Sequence, residues 1–386
     1  MEKTDSTLVT AFAGLKLKSP IIAASGPPTE SAAAMLACAN AGAGAIVTKS
    51  IVDYARTAWP NIPRRVQRNQ RGLWIQGSFA SETLTLTEGR AMTEAVRQVT
   101  DVPIIASVGV LDPQSDAPVE AALQLVEVGA SMVHFDLFYL PQPRCSDAAI
   151  AGLRALFGRA RAALPVPFGP KLNIDIPAHR FALAFEPTLF DAVFLLDSIR
   201  VPPPLSPHGN PTIDAWSGGL ECSLFGDWQK PITLQYTRVL ADAGISQICA
   251  GGGLRSASDI LEAIMLGAGC AQIATQLMIH GYDWIRRVND QLAALLSEQG
   301  YSNIGSARNI ALRSRDGSSP EHTTPVHAVI DESKCQPCGV CTKLAFCPFI
   351  SEQPNSIPNI DDSCYGCGFC EQYCPHEGAI RMEPIS

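Results

Sequence analysis

Short runs rich in Val, Ile, Leu and Ala recur along the chain, separated by segments whose apolar positions follow helical spacing. The runs are PIIAASG (20–26), GAIVTKSI (44–51), VPIIASVGV (102–110), MVHFDLF (132–138), VPFGPKLNI (166–174), DAVFLLDSI (191–199), SQICAGGG (246–253) and CAQIATQL (270–277). None alternates cleanly between apolar and polar, which is the pattern of parallel strands covered on both faces. Segments between them, such as SAAAMLACANAGA and SASDILEAIMLGA, carry helical periodicity and end near a glycine, a common helix stop. Eight strand–helix repeats predict a (β/α)8 barrel. Sequence does not show closure of a sheet, so a doubly wound parallel sheet stands as the alternative. The fourth run holds an anomaly: Asp136 interrupts an apolar stretch and is followed by Tyr139 and a Pro-punctuated loop. An isolated buried carboxylate costs several kcal/mol unless something offsets it.

Two stretches exceed ordinary loop length, 53–78 and 200–231, and are expected to form lids or interface elements. The segment RSRDGSSPEHTTP (313–325) is rich in Ser, Pro, Gly and charge and reads as a linker. It predicts a barrel domain over 1–319 and a small C-terminal domain over 320–386.

Composition narrows the class. A chain of 386 residues with 46% hydrophobic and 17% charged residues can bury a sizeable core. Net charge is −8, with no long Lys/Arg run, which argues against nucleic acid or an anionic membrane surface as partner. No apolar run approaches the roughly 20 residues that span a bilayer. The N-terminal MEKTDSTLVTAFAGLKLKSP lacks the apolar centre of a signal peptide, so a cytoplasmic location is expected.

Cysteine is the informative residue. Of 13, five (Cys38, Cys145, Cys222, Cys249 and Cys270) are scattered, and the rest crowd between Cys335 and Cys374. Dense thiols at one end of such a chain point to metal rather than disulfides. The second half of the box, Cys364-YG-Cys367-GF-Cys370-EQY-Cys374-P, has the bacterial ferredoxin spacing; the first, Cys335-QP-Cys338-GV-Cys341-TKLAF-Cys347-P, has a longer final gap. In two-cluster ferredoxins the fourth Cys of each run ligates the other cluster. Cys335, Cys338, Cys341 and Cys374 are therefore expected to hold one [4Fe–4S] cluster, and Cys364, Cys367, Cys370 and Cys347 the other. A pair of structural zinc sites is the alternative, but zinc does not account for the Cys-Pro ending of both halves. Clusters pass single electrons, so a second redox group able to exchange two electrons with an organic substrate is expected on the barrel.

CAGGGLRSASDILEA (249–263) places three glycines between the seventh strand and a helix, where backbone amides can approach a phosphate. The end of the eighth strand, with Ala274 and Thr275, closes the same cup at the usual phosphate position of a barrel. A plain tight turn is the alternative for the glycines alone.

With GLKLKSPIIAASG, TKS (48–50), PKL (170–172), WSGGL followed by KPITL, AGGGLRSASD and GAGCAQIAT, the chain resembles the dihydroorotate/dihydropyrimidine dehydrogenase family over about residues 9–300. The cysteine box is similar to the C-terminal end of dihydropyrimidine dehydrogenase. The resemblance implies an FMN-dependent barrel in which Gly252, Gly253, Ala274 and Thr275 hold the phosphate, and Ala24, Ser25, Lys49 and Lys171 meet the flavin ring. A lysine near the flavin N1/O2 edge stabilises the anionic reduced form.

The substrate end departs from the family pattern. The family strand reads Asn-Leu-Ser-Cys-Pro, with the Cys transferring a proton; here it reads Asp136-Leu-Phe-Tyr139-Leu-Pro141. A second family Asn corresponds to Asp197, followed by Ser198, and a third to Gln76. An ionised Asp only accepts hydrogen bonds, so this set suits a substrate offering N–H donors or positive charge rather than dihydroorotate or uracil. The alternative for Asp136 and Asp197 is pairing with Lys49 and Lys171 without touching a ligand. Tyr139 is the expected proton donor, with Cys145 and Cys222 as displaced candidates, His208 solvated and His134 packed inside the barrel.

The sequence thus predicts an FMN- and iron–sulfur-dependent oxidoreductase acting on a C–C or C–N bond of a small polar, nitrogen-containing molecule. The FAD and NADPH domains of full-length dihydropyrimidine dehydrogenase are absent from it, so a ferredoxin or a separate electron-transfer subunit is expected as partner. The resemblance implies a homodimer. A non-catalytic electron-relay subunit and a true dihydropyrimidine dehydrogenase subunit are the rival readings.

Overall fold

The computed structural model describes residues 7–53, 65–68, 74–77, 83–213, 221–313, 325–353 and 356–385. The chain divides into two compact units, Met1–Arg313 and Ser314–Ser386. The division falls in the Ser- and Pro-rich segment, of which residues 314–324 lie outside the described set.

In the first unit the eight apolar runs supply the strands β1 (Ile21–Ala23), β2 (Ala45–Val47), β3 (Ile104–Gly109), β4 (Met132–Asp136), β5 (Phe168–Lys171), β6 (Val193–Phe194), β7 (Ile248–Gly251) and β8 (Cys270–Ile273). All pair in parallel in chain order, and β8 returns to β1, so the sheet closes on itself. This is the (β/α)8 barrel rather than the doubly wound alternative. The helices α1 (Ala32–Asn40), α2 (Leu86–Arg97), α3 (Ala117–Glu127), α4 (Asp147–Ala163), α5 (Ala178–Ala184), α6 (Lys230–Asp242), α7 (Ala257–Met265) and α8 (Asp283–Glu298) follow the strands in turn. Several start at side-chain caps: Ser31, Ser146 and Ser256 each accept a backbone N–H of the first turn, and Thr85 with Glu88 makes a reciprocal capping box.

Strand alternation sorts the core into layers. On β4, Val133 and Phe135 face the helices and pack with Leu153, Phe157 and Phe168. Met132, His134 and Asp136 take the opposite parity and face the barrel interior. The bottom is plugged by the antiparallel pair Thr10–Phe12 and Leu15–Leu17, whose Phe12 packs edge-on against Phe194. His134 packs edge-on against the same Phe194, so the interior is filled rather than hollow.

The two long inter-strand stretches are not plain loops. Arg65–Arg68 and Trp74–Gly77 come from the first, Ile199–Val201 and Cys222–Phe225 from the second, and together they form a four-stranded antiparallel sheet. Two segments separated by more than a hundred residues satisfy each other's backbone groups, a pairing that no local pattern announces.

In the second unit, Val326–Ile330 pairs antiparallel with Ile380–Pro384, and Ile350–Ser351 with Asn359–Ile360. Ala328, Cys341, Cys364, Cys370 and Ile380 form its small core. No helix among the described residues is long and apolar enough to cross a membrane.

Candidate active site

One cavity opens at the C-terminal ends of the barrel strands. It is lined by residues that end or follow β1 (Ala24, Ser25), β2 (Lys49, Ser50), β4 (Phe138, Tyr139), β5 (Lys171), β6 (Asp197, Ser198), β7 (Gly252, Gly253) and β8 (Ala274, Thr275). Its empty space is about 1070 Å³ including the open mouth.

At one end the lining is backbone. Gly252 and Gly253 have φ of 95° and 81°, a region that favours glycine. A Cβ on Gly253 would stand 2.3 Å from the backbone nitrogen of Lys230, so only glycine lets this turn pass the start of α6. Ser256 and Asp259 fix the next turn, Asp259 accepting from Arg255 N–H at 2.9 Å and pairing with Lys230 at 2.6 Å. Ala274 and Thr275 enter the short helix Thr275–His280 from the other side. Beside this cradle Gln272 lines the cavity with its Oε1 buried and without a partner among the described residues. A phosphate on the amides, and a hydroxyl or ring N–H on that orphaned oxygen, fit the donors and acceptors of FMN.

At the other end the lining is charged. Lys171 is buried and pairs with Asp197 at 2.5 Å and with Asp136 at 3.8 Å. Asp136, 1% exposed, lies one layer below the lining. Its Oδ2 accepts from Ser50 Oγ at 3.1 Å, and its Oδ1 accepts from Phe138 N–H at 3.1 Å. The second bond caps the single turn Leu137–Tyr139, so Asp136 fixes the start of the turn that carries Tyr139. Asp197 keeps some exposure, accepts from Ser198 N–H at 2.6 Å, and its carbonyl accepts from Gln229 Nε2 at 2.6 Å.

Burial works against every charge here. On Lys171 the two aspartates outweigh it and hold the ammonium above its ordinary value. Burial also disfavours the Asp197 carboxylate, but Lys171 and the Ser198 amide outweigh that and hold the acid below its usual range. For Asp136 burial wins, although Lys171, Phe138 N–H and Lys49 all oppose it, and its pKa is raised. His134 is buried with Nε2 at 2.6 Å from Ser107 Oγ, and burial followed by the Lys171 charge keeps it neutral. Ser107 in turn donates to Ser50, which bonds Ser25 at 3.0 Å, so the serines tie the cavity wall to Asp136.

The structure thus brings together Ala24, Ser25, Lys49, Lys171, Gly252, Gly253, Ala274, Thr275, Tyr139, Asp197 and Ser198 around one cavity. Gln76 sits in the strand Trp74–Gly77 opposite Ser223, with its side chain outside the described residues. The WSGGL segment, 216–220, also lies outside them. Cys145 is exposed, Cys222 buried and His208 exposed, and none lines the cavity. Sequence reasoning missed Ser50, Phe138, Ser223, Gln229 and Gln272, which also line it. Ser50 sits next to Lys49 in TKS, and Gln272 is the lone polar residue of β8; both could have been read from parity at a strand end.

In the second unit none of the eight box cysteines forms a disulfide. Cys347, Cys364, Cys367 and Cys370 line one small cavity. Cys335 has its thiol pushed up by burial and then by neighbouring Cys374 and Cys338, and Cys341 by burial and the same group. Among the described residues no group of three or more His, Cys, Asp or Glu is already arranged around a metal position. The thiols nevertheless sort into two sets of four, a donor chemistry that fits iron–sulfur clusters.

The barrel, its glycine cradle and its paired lysines are the parts of a flavin-dependent oxidoreductase. A family model for dihydroorotate dehydrogenase matches residues 205–296. Among curated proteins, dihydroorotate dehydrogenase B (NAD(+)), catalytic subunit, of Thermoplasma volcanium is 25% identical over 320 residues, covering 80% of this chain and 99% of its own. The protein of that name from Methanosarcina mazei is 27% identical over 319 residues, covering 79% of this chain and 96% of its own. The chain is thus similar to dihydroorotate dehydrogenases. About a fifth of the chain lies outside each of these matches.

Proposed function

We propose that the chain is an FMN- and iron–sulfur-dependent oxidoreductase that reduces, or in reverse desaturates, a C–C or C–N bond of a small polar, nitrogen-containing molecule. Its C-terminal unit, with a bacterial ferredoxin-like fold and two [4Fe–4S] clusters, exchanges single electrons with a separate carrier protein. The observation that carries this reading is the single cavity in which a glycine phosphate cradle, two lysines and Tyr139 meet. Gly252, Gly253, Ala274 and Thr275 would hold the FMN phosphate, and Ala24, Ser25, Lys49 and Lys171 its ring. Bound FMN supplies hydride exchange with the substrate and single-electron exchange with the clusters. Tyr139 holds the proton: a phenol, with an unperturbed pKa of about 10, stays protonated at neutral pH and suits a resident acid. Asp136 works from below by capping the Tyr139 turn and by holding Lys171, while Asp197 and Ser198 face the substrate.

The departure from relatives that act on dihydroorotate supports a different substrate, because the family's amides are replaced by carboxylates that sit on Lys171. Protein purified without oxygen should contain one FMN and, with four irons per cubane cluster, about eight iron and eight sulfide per chain. Cys374→Ser should damage the cluster of Cys335, Cys338 and Cys341 rather than the one nearest in sequence. Protein that takes up only zinc, or that turns over rapidly on NADH or NADPH alone, contradicts this reading.

A further inference from the structure

Lys171 stands in an unusual company for a cofactor-facing cation. Its ammonium is 2.5 Å from Asp197 and 3.8 Å from Asp136, and both carboxylates are themselves fixed, by Ser198 N–H and by Ser50 and Phe138 N–H respectively. One cavity is lined by the glycine cradle and by Lys171 and Asp197. A flavin whose phosphate rested on Gly252 and Gly253 would share this cavity with Lys171 and Lys49, which would hold its ring.

Reduction of a flavin adds negative charge to the ring. A cation beside it favours the reduced form, and an anion that cancels the cation removes that preference, more strongly where water is excluded. Asp197 and Asp136 supply two such anions to a single buried lysine. We propose that Asp197, with Asp136 behind it, is a redox-poising pair: by holding Lys171, these residues keep bound FMN at a lower potential than the lysines would set by themselves. A low-potential flavin gives electrons to a substrate readily and calls for a strongly reducing donor, a range that iron–sulfur clusters reach. This inference deepens the functional reading above and rests on its assignment of FMN to this cavity.

The test uses FMN-loaded, full-length protein equilibrated without oxygen against reference dyes, with the flavin band resolved from the broad cluster absorbance. The readout is the ratio of reduced to oxidised flavin at fixed potential. Asp197→Asn keeps an oxygen for Ser198 N–H and removes the charge nearest Lys171. It should raise that ratio at least fivefold; a tenfold rise corresponds to about 30 mV for a two-electron couple. Asp136→Asn should shift it the same way by a smaller factor, at least twofold, because its carboxylate is farther from the lysine. Asp197→Glu, which restores the charge, should return the ratio to within twofold of the parent. Purely structural roles predict lost flavin or lost fold without a directed change in potential. A flavin-replete Asp197→Asn protein that shifts less than fivefold, or toward oxidised flavin, overturns the inference alone. If Asp197→Asn does not fold, Asp136→Asn decides, since it leaves the 2.5 Å pair in place. A parent protein that takes up no FMN overturns both this inference and the functional reading.

Discussion

The two ends of the cavity are built by different means. The cradle end is backbone: two glycines at positive φ, a turn pressed against the start of α6, and amides that need no side chain. The other end is side chains, a buried lysine between two aspartates with Tyr139 on a single capped turn. Backbone geometry tolerates almost no substitution here, because a Cβ on Gly253 would meet the Lys230 backbone. A side-chain array can exchange amide for carboxylate or thiol for phenol without disturbing a strand, so this is where the chemistry can change. The contrast predicts that damage at the cradle removes the cofactor, whereas damage at the charged end leaves the cofactor and alters what it does.

The sharpest way to break the comparison is Gly253→Ala. Its Cβ would meet the Lys230 backbone at 2.3 Å, and φ of 81° adds about 1–3 kcal/mol of strain for a non-glycine residue. FMN content should fall to a small fraction of the parent's, with the circular dichroism of the barrel retained. A variant that purifies with a full complement of FMN would show that the phosphate rests elsewhere.

Next in size is Tyr139→Phe, which keeps the ring and removes the hydroxyl. The substrate half-reaction should slow by about 10²-fold or more, the scale of a lost general acid, with flavin and cluster spectra unchanged. A parent-like rate would make Tyr139 a packing residue.

A smaller effect is expected from Gly109→Ala at the end of β3. The added methyl would lie 2.9 Å from Tyr139 Cδ2 and 2.8 Å from Val52 Cγ2, so the tyrosine ring must tilt. Misplacing a reacting group by an ångström costs up to about 10²-fold, and a tilt of a few tenths should cost less. Combined with Tyr139→Phe, Gly109→Ala should add little further loss, because the hydroxyl it misplaces is already gone. Full additivity would place the effect of Gly109 outside the tyrosine.

Much of this was legible in the sequence. The eight strands were, because parallel barrel strands are covered on both faces and read as continuous apolar runs. The backbone turn at Gly252 and Gly253 was, because glycines between a strand and a helix mark a turn at positive φ. Tertiary partners were not. The pairing of Trp74–Gly77 with Cys222–Phe225 joins distant segments, and both long stretches read as loops until their backbone groups find each other. The strand at Val193–Phe194 is shorter than its apolar run, because the chain turns to bring Asp197 N–H onto Leu172 O at 3.1 Å. The sequence left open whether Asp136 and Asp197 meet a ligand or a lysine. In the structure both sit on Lys171, a relation set by the register of β4, β5 and β6 that composition does not carry.

The smallest effect, and the most specific to the charged end, is on stability against pH. Asp197 has its folded pKa held below the ordinary 3.8, so it stabilises the fold above that value and loses its contribution as pH falls through the folded pKa. Asp136 has the opposite sign: burial raises its folded pKa above 3.8, so its ionisation costs stability at neutral pH and protonation relieves that cost. Lys171, raised above 10.5, contributes over this whole acid range and drops out of the comparison. Asp197→Asn should therefore lower the thermal midpoint at pH 7 and flatten its decline toward pH 3. Asp136→Asn should leave the pH 7 midpoint closer to the parent's and steepen the acid decline, because the group that gained on protonation is gone. Asp259, also held below 3.8, is common to all three proteins and cancels in the differences. The thermal midpoint followed by helical circular dichroism between pH 7 and pH 3 makes the comparison. Parallel acid limbs in parent and both variants would mean that neither carboxyl titrates against Lys171 and that the charged end owes its stability to packing.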